Sequence, residues 1–160
     1  MSTAIQTLNK VVELAQKRRD DALAQMARLQ RDMAQAQGQM QQLQTYADEA
    51  QTRWSQRSSA GIDAQVLHHH RQLMQKIDHA VTFQRGVLGQ RQAQVDQAQQ
   101  QVHVDERDLA GLRKYTNIKV QARLQSAQRQ EQKQTDEMAL SIYLRQRLAQ
   151  NVITAKGARP

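Results

Sequence analysis

Apolar residues recur along the first third of the chain at alternating steps of four and three residues. The series, which we call the first seam, is Leu8, Val12, Ala15, Arg19, Ala22, Met26, Leu29, Met33, Ala36, Met40, Leu43, Ala47, Ala50 and Trp54. Arg19 is its only polar member. A heptad pattern kept for about seven repeats is far longer than a single amphipathic helix needs, and it predicts a coiled-coil helix.

The same pattern continues through a segment that composition alone would mark as disordered. Residues 34–46, AQAQGQMQQLQTY, are rich in glutamine, as low-complexity tracts often are. Ala36, Met40 and Leu43 nevertheless keep the heptad spacing, which leaves the glutamines on the solvated faces of the helix. An ordered helix is therefore favoured over a disordered tract.

The pattern stops at residues 58–63, SSAGID. Gly61 can adopt the left-handed conformation that ends a helix, and Asp63 can cap the next one. We therefore predict helix 1 over about residues 4–57 and a tight turn at 58–63.

A second seam follows the turn, with the same alternation of four and three residues. Its members are Leu67, His70, Met74, Ile77, Val81, Gln84, Leu88, Arg91, Val95, Ala98, Val102, Asp105, Leu109, Leu112 and Thr116. Five of these are polar, which indicates either local looseness or a polar lock on the register. A fainter pattern continues through Val120, Leu124, Ala127, Met138 and Ile142, so helix 2 is predicted over about residues 64–150.

A short turn between two seams favours antiparallel pairing. With the turn near residue 60, paired residues should have numbers that total about 120, which places Leu43 by Ile77 and Leu8 by Leu112. The predicted fold is all-α, an elongated two-helix antiparallel coiled coil in which the end of helix 2 overhangs, either as an unsupported helix or as a frayed one. Residues 1–150 would form a single domain, and 151–160 a flexible tail.

Composition supports long helices and leaves several partners open. Aromatic residues make up 3% of the chain, the only proline is Pro160, and there is no cysteine. With no signal-peptide core and no apolar run of membrane-spanning length, we expect a cytoplasmic protein. The net charge of +8 suits nucleic acid, acidic lipid or an acidic protein surface. An acidic protein socket is favoured over nucleic acid because no dense basic stripe is present, and simple solubilisation is the alternative.

The sequence carries no signature of catalysis. Residues His68 to His70 are consecutive, so on a helix they diverge and cannot converge on one metal ion as an i, i+4 pair can. The adjacent carboxylates Asp20 and Asp21 belong to a solvated face, and no phosphate loop or nucleophile motif occurs. We predict a protein that is not an enzyme, with no catalytic residues, no metal site and no cofactor.

Two segments carry a resemblance to a known family. They are LQTYADEA, residues 43–50, and GIDAQVLHHHRQLMQKIDHAVTFQR, residues 61–85. Together with the basic, cysteine-free hairpin layout they resemble the FliJ family of flagellar type III export, to about residue 145. The resemblance implies a central stalk similar to the γ subunit of rotary ATPases. Its end with both termini would insert into the ring of the flagellar export ATPase and promote its assembly and activity.

The resemblance also implies further partners and a location. They are the cytoplasmic domain of the export-gate membrane protein and the export chaperones, which would hold the protein peripherally at the inner face of the cell membrane at the flagellar base. The family's gate-binding surface maps onto Gln39, Leu43, Tyr46, Leu73, Ile77 and Ala80. The first three residues form one triplet on helix 1 and the last three form another on helix 2. Each triplet has i, i+4, i+7 spacing and therefore occupies one helix face. In the predicted register the two triplets lie at the same height.

For the ATPase-binding end, geometry supplies the candidates. They are Leu8, Val12, Ala15, Arg18 and Arg19 on helix 1, opposed by the region from Leu112 to Leu124 on helix 2. Two alternatives stay open from the sequence: a homodimeric coiled-coil scaffold, and a basic rod that binds nucleic acid.

Overall fold

The computed structural model describes residues 2–158 as two long helices. Helix α1 spans Thr3–Ser58 and helix α2 spans Ala64–Gly157, and no strand occurs among these residues. The all-α prediction is confirmed. Three of the four predicted helix ends lie within one residue of the observed ones.

The fourth helix end differs. Helix α2 continues to Gly157, whereas the fading apolar pattern placed its end near residue 150. Residues 151–156, NVITAK, contain neither glycine nor proline, so nothing in the backbone breaks the helix before Gly157. The flexibility assigned to residues 151–160 stays a prediction, and Arg159 and Pro160 lie outside the described residues.

The turn between the helices is built around one left-handed glycine. Gly61 has a φ of 90°, a conformation that costs a residue with a Cβ atom about 1–2 kcal/mol. The N–H of Ala60 donates to the carbonyl of Arg57 over 3.2 Å, which closes the last turn of α1. The N–H of Leu67 donates to the carbonyl of Asp63 over 3.1 Å and opens α2. The left-handed conformation predicted for Gly61 is therefore observed, and Asp63 occupies the position just before α2, while capping by its side chain stays a prediction.

The chain forms two compact units, one of which comprises Val12–Ala110. This unit is a helical hairpin, and every seam residue within it is buried or half-buried. Its apolar core is Ala36, Met40, Ala50, Ile77, Ala98, Val102 and Leu109, of which Leu109 is the most enclosed at 2% exposure. The assignment of residues 1–150 to a single domain stays a prediction.

Contacts across the hairpin fix its register. The side chain of Gln84 donates to the backbone carbonyl of Ala36 over 2.9 Å, and these residue numbers total 120, as predicted. Nearer the turn, the rings of Trp54 and His70 stack with their centroids 4.0 Å apart and their planes within 6°. Both contacts join α1 to α2 of the same chain, so the antiparallel pairing is confirmed.

The second unit comprises the residues up to Val11 and those from Gly111 onward. Leu8 and Leu112 are half-buried in it, and Thr116 is buried with its hydroxyl donating to the carbonyl of Leu112 over 2.8 Å. After Val120, every described residue of α2 is exposed. The segment predicted to overhang is thus an unpaired helix within the described part of the chain.

Candidate interaction surfaces

The six residues assigned to a gate-binding surface all belong to the hairpin unit, but they differ in exposure. Gln39 is exposed, and so are Tyr46 at 46% and Leu73. Leu43 and Ala80 are half-buried, whereas Ile77 is a core residue at 5% exposure. Direct contact with a partner is therefore available to the three exposed side chains but not to the buried Ile77.

Two of the exposed members line a common groove near the turn. Tyr46 and Leu73 face this groove, whose volume is about 1000 Å³. Its other apolar walls include Trp54, Ile62 and Val66. One predicted residue from each helix, the aromatic Tyr46 on α1 and the aliphatic Leu73 on α2, thus borders the same concave surface.

Basic side chains stand beside the same groove. Arg53 and Arg57 line it from α1. The guanidinium of Arg53 lies 3.9 Å from the carboxylate of Glu49, and both side chains are about two-thirds exposed, so this ion pair holds Arg53 only weakly. A partner carrying carboxylates could therefore engage these arginines.

The stacked rings of Trp54 and His70 also line the groove. Both residues are seam positions and both are half-buried, and His70 is one of the five polar interruptions of the second seam. Stacking gives the imidazole an apolar contact in place of an aliphatic seam partner. The sequence placed Trp54 and His70 on their seams, but heptad spacing does not reveal ring geometry, so the stack was not predicted.

Gln84 is a second polar interruption with a specific partner set. It is 8% exposed, and its Nε2 donates to the Ala36 carbonyl and to the Oε1 of Gln39, the latter over 3.3 Å. The choice between looseness and a polar lock is thereby resolved here in favour of a lock. An amide at a seam position was the available signal in the sequence, but it did not identify Ala36 and Gln39 as the partners.

The candidate ATPase-binding residues divide between the two units. In the hairpin unit, Val12 and Ala15 are half-buried and Arg18 is exposed. Arg19 is engaged locally, because its guanidinium Nη2 lies 2.9 Å from the Oδ1 of Asp20. Arg18 is therefore the more accessible of the two arginines.

In the other unit, Leu8 and Leu112 are half-buried and Leu124 is exposed. Helix α2 also carries an exposed apolar stripe that the sequence interpretation did not single out. Leu140, Leu144, Leu148 and Val152 recur at i, i+4 spacing, and each is roughly half to two-thirds exposed. Four-residue spacing places these side chains along one face, so the stripe was readable from the sequence. The three basic residues among 138–158, Arg145, Arg147 and Lys156, have no acidic neighbour in that range.

Neither metal chemistry nor a membrane span is found in residues 2–158. No group of three or more His, Cys, Asp or Glu side chains in this range is placed to hold a metal ion. His68 and His69 lie with their rings 6.3 Å apart and tilted by 52°. Neither described helix contains a stretch long and apolar enough to cross a membrane.

Comparison with known proteins identifies the family. The profile of the Flagellar FliJ protein family, described as "FliJ: Flagellar FliJ protein", matches residues 4–148. Comparisons with curated proteins and with solved structures gave no match. The match covers nearly all of α1, the turn and all but the last part of α2. The chain belongs to the flagellar FliJ family.

Proposed function

We propose that the protein is a non-enzymatic stalk of the flagellar export apparatus, which inserts into the ring of the export ATPase and promotes its assembly and activity. The observation that carries the proposal is the exposed apolar stripe Leu140, Leu144, Leu148 and Val152. A helix that leaves such a stripe in water gains free energy when a partner covers it. The enclosed channel of a ring-shaped ATPase would cover a single helix on all sides.

Charge favours the same arrangement. Residues 138–158 carry basic side chains and no acidic ones, and Lys17 and Arg18 are exposed on α1. An acidic lining in the ATPase ring would attract both regions and speed their association. The family membership supports a role in flagellar export, to which this stalk belongs.

A direct test mixes the purified chain with the purified export ATPase and measures hexamer formation and ATP turnover. The wild-type chain should increase both. Replacing Leu144 and Leu148 together by glutamine should remove most of that increase, because the stripe loses its central apolar contacts. Replacing the exposed Val104 by glutamine is the control, because Val104 lies on α2 outside the candidate ATPase-binding regions, and it should change neither quantity. A stripe variant that stimulates the ATPase as well as wild type would contradict the stalk proposal.

The arginine contact has its own test. Arg18→Glu should weaken binding to the ATPase while helicity is retained, because Arg18 is exposed and makes no core contact. Arg31→Glu makes the same change of charge at another exposed site on α1 and should leave the affinity nearly unchanged. Equal affinities for the two variants would show that the basic run does not contact the ATPase.

The hairpin unit would link the stalk to the export gate and to export chaperones. We assign the direct gate contact to the exposed Gln39, Tyr46 and Leu73; of the other three residues, Leu43 and Ala80 are half-buried and Ile77 is buried. Aromatic side chains dominate many binding hot spots, so Tyr46→Ala should weaken binding to the cytoplasmic domain of the gate protein. Tyr115→Ala is the matched control, since Tyr115 is exposed to a similar degree, 49%. These contacts would hold the protein at the inner face of the cell membrane through its partners only.

A further inference from the structure

We propose that buried Gln84 is a positioning residue that fixes the side-chain amide of Gln39, so that the gate-binding surface presents a hydrogen-bond donor there and the partner supplies a carbonyl or carboxylate oxygen. This inference rests on the proposed gate contact. It concerns three residues that the hairpin brings together from two helices: Ala36 and Gln39 on α1 and Gln84 on α2.

The orientation of Gln84 follows from its first contact. Its amide lies 2.9 Å from the backbone carbonyl oxygen of Ala36. A carbonyl oxygen can only accept a hydrogen bond, so the atom of Gln84 that faces it is the amide nitrogen. Gln84 is 8% exposed, and turning its amide around would place two acceptors against each other in a buried seam. That arrangement is strongly unfavourable.

The orientation of Gln39 follows from the second contact. The same Nε2 of Gln84 lies 3.3 Å from the side-chain amide of Gln39. An amide nitrogen has two hydrogens, and the second one needs an acceptor. Gln39 therefore turns its Oε1 towards Gln84, and its own Nε2 is directed away from α2. The backbone carbonyl of Ala36 thus sets the polarity of both glutamines.

The orientation of the Gln39 amide affects the proposed gate-binding surface, because Gln39 is part of it. Gln39 is exposed and shares one face of α1 with Leu43 and Tyr46 at i, i+4, i+7 spacing. A free glutamine amide can turn over and offer either a donor or an acceptor, whereas a held one offers the donor alone. Holding it also reduces the entropy lost when a partner binds. The partner atom that meets Gln39 beside Tyr46 should accordingly be an acceptor oxygen.

The first test is spectroscopic and needs no partner. Side-chain amide NMR of the full chain should show the Gln39 amide signals shifted from those of a solvated glutamine, because its Oε1 accepts a hydrogen bond from Gln84. Gln84→Leu removes both donors and should return the Gln39 signals to the values of a free side chain. Unchanged Gln39 signals in that variant would overturn the positioning role.

The second test measures binding to the purified cytoplasmic domain of the gate protein by calorimetry. Gln39→Glu keeps an acceptor for Gln84 but replaces the outward donor by an acceptor, and it should weaken binding about tenfold or more. Gln42→Glu makes the same change of charge at an exposed site on α1 and is the control. Equal affinities for these two variants would overturn the inferred donor.

A double-mutant cycle separates positioning from a merely structural role. Gln84→Leu should weaken binding roughly three- to tenfold in the wild-type chain, but it should have no further effect once Gln39 is replaced by alanine. Additive losses would contradict action through Gln39. If Tyr46→Ala weakens binding and Gln39→Glu does not, the donor inference fails and the gate contact stands. If the wild-type chain does not bind the gate domain, both are wrong.

Discussion

The left-handed turn at Gly61 predicts opposite effects for one substitution made at two places in the chain. Gly61 has a φ of 90°, whereas Gly89 lies within α2. A Cβ atom added at either position meets nothing within 4 Å, so packing contributes at neither site. The two substitutions differ only in the backbone conformation that alanine must adopt.

The magnitudes follow from that difference. At Gly89, alanine should raise the free energy of unfolding by about 0.5–1 kcal/mol, because the unfolded chain loses freedom and the helix does not resist. At Gly61, the left-handed conformation costs alanine about 1–2 kcal/mol, part of which the same gain offsets. We expect a net loss of about 1 kcal/mol. Gly61→Asn should lose less, because asparagine tolerates this conformation better.

Urea unfolding followed by far-UV circular dichroism measures all three variants. The slope of the unfolding free energy against urea concentration should be the same for each variant, since none changes the surface exposed on unfolding. The midpoint should rise for Gly89→Ala and fall for Gly61→Ala. If both alanine variants were stabilised equally, Gly61 would not occupy a left-handed turn, and the folding back of the chain would lose its structural basis.

Two further substitutions, each with a control, test the hairpin core. Leu109→Ala should lower the free energy of unfolding by about 2–5 kcal/mol, because this side chain is only 2% exposed. Leu148→Ala, at a site that is 66% exposed, should change it by less than about 0.5 kcal/mol. Comparable losses for the two variants in urea unfolding would contradict the assigned core. His70→Ala should remove the stack on Trp54 and lower the free energy of unfolding by about 0.5–1.5 kcal/mol. It should also alter the fluorescence of this sole tryptophan, whereas His69→Ala should leave the emission unchanged. Identical spectra for the two variants would show that the rings do not stack in solution.

The heptad pattern predicted most of the fold because, in a two-helix hairpin, residue spacing decides which side chains face the other helix. Even Arg19, the polar member of the first seam, is partly buried where the spacing places it. Gly61 and Asp63 likewise mark the turn, since left-handed backbone and helix capping each require particular residue types. The end of α2 was harder to place, because helix persistence at residues 151–157 depends on the absence of breakers rather than on an apolar pattern.

The candidate surfaces were less predictable, for a physical reason. Spacing places Ile77 on a seam and Tyr46 and Leu73 at one height, but it does not show that Tyr46 and Leu73 border one groove. It also does not show which polar seam residue finds a partner. Gln84 does so because Ala36 is small enough for the amide to reach the backbone carbonyl of α1, and that reach depends on the local separation of the helices.

The central claim is that a single chain folds back at Gly61 and brings the two helices side by side. Because the chain has no cysteine, spin labels can be attached at cysteines replacing exposed Arg28 and Gln92, and pulsed electron resonance can measure their separation. Packed helices lie about 8–10 Å apart, so the label separation should be a few tens of ångströms at most, and it should persist when labelled chains are diluted into excess unlabelled protein. A separation approaching about 95 Å, as in one uninterrupted helix, or a short distance that disappears on dilution, would contradict the account.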